Sequence, residues 1–331
     1  MKILIDTYGA DAGAKVTVDG AILAKAKRDF IPVFVGDEKE IKLLVHDRIH
    51  DYEIIPSKEL ISNNEDPVRS IRSKKDASIV LAYNKLKEEG YDGLISAGST
   101  GALLAGGLFI AGRIVGVKRA CLAASIPTIN ESTTLLMDSG ANMDCKPEFL
   151  YEFGLMGKVF LENVLHIDNP SIGLLNVGVE EHKGNKLTKE TYELLKNTDF
   201  NFIGNVEARD IFTGKCNVLL ADGFDGNIAL KTAEGVLKTF GTELKNTIYK
   251  SGKTKIAGAL LKKDLKEMTS KFSTDEVGGA PLLGVKSYVY KAHGNTNEQA
   301  FSSAILGLMN YIDMNVIGKI EGELNDKRWT N

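Results

Sequence analysis

The stretch from Gly93 to Gly112, GLISAGSTGALLAGGLFIAG, decides how the rest of the chain is read. It carries no charge over 20 residues, as a membrane-spanning helix would, but six of those residues are glycine and Ser96, Ser99 and Thr100 interrupt its front half. A spanning helix is the poorer reading. A short apolar strand (Gly93–Ile95) that runs into Ser-Ala-Gly-Ser-Thr-Gly and then into an Ala/Leu-rich helix from about Ala102 is a strand–turn–helix unit, with small residues where a backbone must approach something closely. Such a turn aims several N–H groups at one point, which suits an anion, phosphate above all. The alternative is a glycine-rich turn that only packs a helix tightly on a sheet.

Composition narrows the choice. A chain of 331 residues, 43% hydrophobic and 26% charged, is an ordinary globular protein of one large or two smaller domains. A net charge of −3 argues against nucleic acid as a partner. The N-terminus, MKILIDTYG, has only a short apolar run between Lys2 and Asp6, so it predicts a first strand, not a secretion signal, and a cytoplasmic protein. Three scattered cysteines, Cys121, Cys145 and Cys216, fit a reducing compartment, and five histidines show no metal-site spacing. No metal and no cofactor is expected.

Strand-like and helix-like segments alternate along the chain: KILIDT, a helix near 15–27, PVFVGD, a helix near 38–45, and YEIIPS. One helix is expected from the Asp66-Pro67 start to Gly90, and after the glycine stretch come TTLLMDSG, a helix from Pro147 to about Leu165, SIGLLNVG, a helix near 189–196, FIGNV, NVLLADG, SYVYKAHG and a closing helix from about Asn297. This predicts parallel strands with crossover helices in one α/β catalytic unit over residues 1–331, with room for two lobes. Residues 229–273 break the rhythm. Lys245–Lys271 holds eight lysines against Asp264 and Glu267, and Ala257, Leu261, Leu265 and Met268 fall on one helical face. A projecting basic amphipathic helix can lie on an anionic membrane or dock an acidic carrier, or it can simply present a solvated lysine face.

No Walker-type loop, dinucleotide fingerprint, His-Glu-x-x-His or Gly-x-Ser-x-Gly is present, so nucleotide-dependent chemistry and metallohydrolysis lose weight. Small polar clusters instead stand at the C-terminal ends of the strands, where an open parallel sheet has its ligand crevice. They supply the candidates: Gly98, Ser99, Thr100 and Gly101; Asn142, Asp144 and Lys146; Lys183 and Asn185; Asn205; Asp222, Gly223 and Asn227; and His293. All are expected to converge on one cleft suited to an anion and a polarised carbonyl. Asn205, Asp222 and Asn227 could equally be turn and cap residues, and Lys146 and Lys183 solvated charges. Cys145 reads either as an acyl-accepting nucleophile or as a small packing residue.

The pieces SAGSTGALLAGGLFIAGRI, DSGANMDCKPEFL, GLLNVGVEEHKGNKLTKE, NFIGNVEARDIF, ADGFDGNIALKTAEG, GGAPLLGV and KAHG, in this order, closely resemble the PlsX family, the phosphate acyltransferases of bacterial phospholipid synthesis. The resemblance covers nearly the whole chain. It implies a Rossmann-like three-layer α/β/α sandwich similar to isocitrate- and isopropylmalate-dehydrogenase folds and to phosphotransacetylases. It implies transfer of a fatty acyl group from acyl carrier protein to inorganic phosphate, giving an acyl phosphate for the glycerol-phosphate acyltransferase that follows. A homodimer peripherally attached to the cell membrane is implied as well. Two positions depart: the family's usual Gly-Gly-Asp-His is Gly9-Ala10-Asp11-Ala12 here, and its Ala-Gly-Asn-Thr-Gly carries Ser99 in place of the asparagine.

A thioester has a good leaving group and phosphate is substantially a dianion near neutral pH, so the expected task is positioning and charge stabilisation. The expected assignment gives phosphate to the Ser99-Thr100-Gly101 turn with Lys183 or Lys146, and the thioester oxyanion to Asn142, Asn185 or Asn227. His293 or a lysine protonates the departing thiolate. Three rivals stand beside it: a phosphotransacetylase-like enzyme using short acyl-CoA, a β-decarboxylating dehydrogenase, and a non-catalytic membrane scaffold.

Overall fold

The computed structural model describes residues 1–130, 132–270 and 278–326. Apolar runs bounded by Asp, Gly and Pro become strands, and the amphipathic runs between them become crossover helices. The N-terminal part runs β1 (Lys2–Asp6), α1 (Ala14–Lys27), β2 (Ile31–Gly36), α2 (Glu38–Val45), β3 (Glu53–Pro56), α3 (Pro67–Ser73), α4 (Ser78–Leu86), β4 (Gly93–Ser96) and α5 (Thr100–Gly106), the last continued by a π-helical turn over Gly107–Ala111. There follow β5 (Cys121–Leu122), β6 (Ala124–Pro127), β7 (Thr133–Met137), α6 (Pro147–Val164), β8 (Ile172–Asn176), α7 (Lys186–Lys196), β9 (Phe202–Glu207) and β10 (Val218–Leu220). The chain then runs through α8 (Gly223–Tyr249), α9 (Gly252–Leu260), α10 (Lys262–Ser270), β11 (Gly279–Leu283), β12 (Tyr288–Ala292), α11 (Glu298–Asp313) and α12 (Val316–Asp326).

Two sheets result. The first, ordered β3-β2-β1-β4-β12-β11-β5, is parallel except at β11, which runs antiparallel to both β12 and β5. The second, β6-β7-β10-β8-β9, is parallel except for β6. Successive residues of β1 point to opposite faces: Ile3 and Ile5 join the core under α1 and α11, while Leu4 joins the one under α4 and α5. A strand buried on both faces needs a helical layer on each side, so the protein is α/β with helices flanking both sheets. The glycines of the opening stretch serve this packing too. A Cβ on Gly106 would stand 2.2 Å from the Tyr83 ring, whose hydroxyl donates to the Leu103 carbonyl at 2.5 Å.

Two departures have local causes. The single helix expected from Asp66 to Gly90 is two, α3 and α4. Ser57 Oγ donates to the Asp76 carbonyl at 2.7 Å and Ser78 N–H donates to the Glu59 carbonyl, so the loop after β3 captures the backbone between them. The basic segment is not one continuous face either. The 27-residue α8 carries the chain out, Gly258 lets α9 lie close against Ile248 of α8, and the backbone turns at Leu261 before α10. Ala257, Leu261 and Met268 are exposed and Leu265 is half-buried, spread over two helices; residues 271–273 of the segment lie outside the described residues. Among the described residues no single helix is long and apolar enough to cross a membrane.

Candidate active site

The C-terminal ends of β4, β7 and β12 and the start of α8 enclose a cavity of about 320 Å³ between the two sheets. Each wall has a reason in the sequence. At the end of β4, Ser99 caps α5 by accepting from Ala102 N–H at 3.4 Å, which leaves Thr100 on the cavity wall. Gly9 presses on this turn from below: its φ is 87°, and a Cβ there would come within 2.3 Å of Gly98 Cα.

At the end of β7, Asp138 is fully buried and its carboxylate accepts from Leu122 N–H at 3.1 Å, Asn142 N–H at 2.6 Å, Ala141 N–H and the Asn142 amide at 2.9 Å. These bonds order the turn that presents Ser139 and Gly140 to the cavity. Burial pushes the Asp138 carboxyl up, and the donors around it push it back down. The first turn of α8 sits directly on this loop. Asp222 caps it by accepting from Asp225 N–H at 2.8 Å, and Gly223 N–H donates to the Asn142 carbonyl at 2.7 Å. Asn227, Leu230 and Lys231 then reach the cavity from one face of α8.

The fourth wall is the end of β12. Lys291, 9% exposed, sends its ammonium to the Ala97 carbonyl at 3.3 Å and to its neighbour's carbonyl, that of Ala292. Burial brings its pKa down to about 8, opposed by Asp6 and Asp11. Burial also lowers the half-buried His293, so its neutral form is favoured. Lys231 pairs with Glu234 at 2.7 Å, a surface ion pair of little worth. Among the described residues no carboxylate lines this cavity, whereas two lysines, two hydroxyls, an amide and an imidazole do.

The predicted convergence on one cleft divides in two. Thr100, Asn227 and His293 meet in the cavity, with Gly98 and Ser99 beneath it around a void of about 10 Å³. Gly101 packs towards Pro67, and Asp222 and Gly223 seat the start of α8. Asn142 lies close by, but its amide is committed to Asp138 and the Ala120 carbonyl. Asp144 and Lys146 are exposed near the start of α6 and do not line the cavity.

The remaining candidates stand at the outer strands of the second sheet. Asn185 caps α7 by accepting from Thr188 N–H at 2.9 Å, Asn205 donates to the Glu180 carbonyl at 2.9 Å, and Lys183 is exposed. Asn185 borders a second, mainly apolar groove of about 840 Å³ against the opposite face of α8, formed by Ile228, Thr232 and Val236. Sequence reasoning passed over Lys231 and Ser139, and from the strand-end cluster Lys291-Ala-His-Gly294 it took His293 as the candidate and not Lys291. Lys231 looks like any solvated helix lysine, but Lys291 carries a signal, since it is the one charged residue in the strand Tyr288–Ala292.

An α/β fold whose strand ends surround a cationic cavity offers a place suited to anionic groups. The model of the family described as fatty acid synthesis protein matches residues 1–319. A phosphate acyltransferase of Clostridium tetani (strain Massachusetts / E88) is 46% identical over 98% of this chain and 98% of its own, and one of Clostridioides difficile (strain 630) is 46% identical over 92% and 91%. Among solved structures, a phosphotransacetylase from Streptococcus pyogenes matches with a TM-score of 0.61 at 17% identity over 95% of this chain and 94% of that one. A branched-chain phosphotransacylase from Enterococcus faecalis V583 gives a TM-score of 0.56 at 12% identity, covering 94% of this chain and 99% of that one. These two likenesses concern the fold, which is Rossmann-like. The chain belongs to the fatty acid synthesis protein family of PlsX-type phosphate acyltransferases, and it is an acyltransferase.

Proposed function

We propose that this protein transfers a fatty acyl group from acyl-[acyl carrier protein] to inorganic phosphate, giving an acyl phosphate that supplies phospholipid synthesis. The observation that carries the reading is the strand-end cavity lined by Lys231, Lys291, Thr100 and Asn227 with no carboxylate among its described walls. An acyl acceptor that is itself a dianion needs such a place. The names of the relatives supply the acceptor and the acyl group.

In the proposed reaction Lys231 and the Thr100 hydroxyl hold phosphate, and one phosphate oxygen attacks the thioester carbonyl carbon. The carbonyl oxygen gains negative charge, and the Asn227 amide donates to it. Collapse breaks the carbon–sulfur bond, and the departing thiolate takes a proton from Lys291. An ammonium has three donors, of which Lys291 spends two on Ala97 and Ala292, leaving one for the cavity. Its pKa of about 8 lies near that of a free thiol, about 8.5, so the transfer is nearly balanced. The products are acyl phosphate and the carrier thiol, and the proton of the hydrogen phosphate, acidic once the oxygen is acylated, passes to the amine and restores the Lys291 ammonium.

The fatty acyl donor and the membrane setting rest on the projecting α8–α10 arm. Ile256 is 67% and Leu260 80% exposed there, beside Lys253, Lys255, Lys262 and Lys263. Apolar tips within a lysine field suit an anionic bilayer surface. A homodimer acting peripherally at the membrane and feeding a glycerol-phosphate acyltransferase belongs to the same proposal. The fold it shares with phosphotransacetylases favours one competing reading, a short-chain acyl-CoA donor. Comparing kcat/KM for palmitoyl-acyl carrier protein, palmitoyl-CoA and acetyl-CoA at saturating phosphate decides between them. The proposal expects the carrier-bound donor to lead, and a preference for acetyl-CoA would replace it.

A further inference from the structure

Asp6, Ser96 and Lys291 stand on one rung of the first sheet. In the parallel register Asp6 of β1 is opposite Ser96 of β4, and Ser96 is opposite Lys291 of β12. All three are buried. Asp6 accepts from the Ser96 hydroxyl at 2.7 Å through one carboxylate oxygen, and from the Ser78 hydroxyl at 2.7 Å and Tyr8 N–H at 3.2 Å through the other. Ser96 Oγ in turn accepts from Gly98 N–H at 3.0 Å, while Lys291 holds the carbonyl of Ala97, the residue between them, at 3.3 Å. The turn that carries Thr100 is thus gripped at a single peptide group, Ala97–Gly98: its N–H by Ser96, itself held by Asp6, and its carbonyl by Lys291. Burial pushes the Asp6 carboxyl up, and the hydrogen bonds from Ser78, Ser96 and Tyr8 and the Lys291 charge act back toward its ionised form.

We propose that Asp6 and Ser96 are positioning residues for the transfer: Ser96 fixes the Ala97–Thr100 turn, and the Asp6 charge across the rung keeps Lys291 as an ammonium facing the cavity. This rests on the reading that the cavity takes phosphate and that Lys291 gives up a proton. The charged and titratable groups around Lys291 are Asp6 from β1, Asp11 from the following loop, Lys231 from α8 and the adjacent His293, itself facing Glu234. Of these, the two carboxylates on Lys291 favour its ammonium, Asp6 more strongly than Asp11, and Lys231 opposes it.

The two residues have separable signatures. Asp6→Asn keeps the shape and removes the charge, so the alkaline limb of the kcat profile should move down by about one pH unit. Ser96→Ala keeps the charge and frees Gly98, so the KM for phosphate should rise about fivefold or more, the worth of one hydrogen bond, with the alkaline limb in place. Thr7→Val is the control: its hydroxyl, one residue from Asp6, binds the Val35 carbonyl at 3.0 Å and takes no part in the rung. Full-length protein is assayed with palmitoyl-acyl carrier protein over a phosphate series from pH 6 to 10. If the wild type has an alkaline limb and saturates with phosphate, but Asp6→Asn and Ser96→Ala follow Thr7→Val, the inference is overturned and the underlying reading stands. A wild type with no alkaline limb or no phosphate saturation overturns the underlying reading, and the inference with it. Should Asp6→Asn fail to fold, Ser96→Ala with Ser96→Thr as its rescue carries the test: unchanged KM in Ser96→Ala contradicts the proposal.

Discussion

Gly226 lies so close to the β7 turn that a Cβ on it would stand 2.0 Å from the Asp138 carbonyl oxygen. Gly223 is nearly as tight, 2.7 Å from the Asn142 carbonyl oxygen by the same measure. Backbone therefore packs on backbone, and the seat of α8 fixes how far Asn227 and Lys231 reach. Gly226→Ala should force the helix off that seat at a cost of about 1–3 kcal/mol, lower the Tm, and reduce turnover more than about tenfold. Thermal unfolding and initial rates check it; an alanine variant with wild-type values for both would mean the seat is looser than the geometry requires.

The proton donor sets a pH dependence. Lys291 is held at about 8 by burial, and donation needs its ammonium, so kcat should fall as pH rises through about 8. Lys291→Met should lower kcat by about 10²-fold or more and remove that alkaline limb. An activity that increases through pH 8 would show that the neutral amine is the working form.

Cys145 should not carry an acyl group. Its thiol is pushed up to about 12, chiefly by burial, with Asp138 and Asp222 adding to it, so almost no thiolate exists at neutral pH. It donates to the Asn142 carbonyl at 3.7 Å and does not line the cavity. Cys145→Ser should keep most of the turnover. Recovery of a labelled acyl group on Cys145 from a quenched reaction would overturn direct attack by phosphate.

The arm gives a separable readout. Ile256→Glu with Leu260→Glu should release the protein from vesicles containing anionic lipid, because about 0.8 kcal/mol is lost per CH₂ no longer buried and each acid opposes the surface potential. Turnover with soluble acyl carrier protein should survive, since neither residue lines the cavity. Loss of turnover with vesicle binding intact would make the arm a carrier dock.

Much of the fold was legible because β1, β2, β4, β8 and β12 are apolar runs with clear punctuation, and the glycine stretch announced its own strand–turn–helix. The strands β5, β6 and β11 were not. They are two to five residues long, two of them contain proline, and the pairing of β5 with β11 joins residues far apart in sequence. The turn between α9 and α10 at Leu261 has no glycine or proline to mark it, and nothing in the local sequence accounts for it. At the site, turn chemistry found Thr100, Asn227 and His293, but every strand-end cluster looks alike until the sheet order is known. Strand order separates β8 and β9, with Lys183, Asn185 and Asn205, from the cavity at β4, β7 and β12.

That separation leads to the most direct measurement: the phosphate saturation curve for acyl phosphate formation in Lys231→Ala and Lys183→Ala, each beside the wild type. With the inter-sheet cavity as the phosphate site, Lys231→Ala should raise the KM for phosphate about tenfold or more, the worth of one charge-assisted contact, and Lys183→Ala should leave it unchanged. A KM that shifts in Lys183→Ala and not in Lys231→Ala would place phosphate at the outer strands and contradict the account.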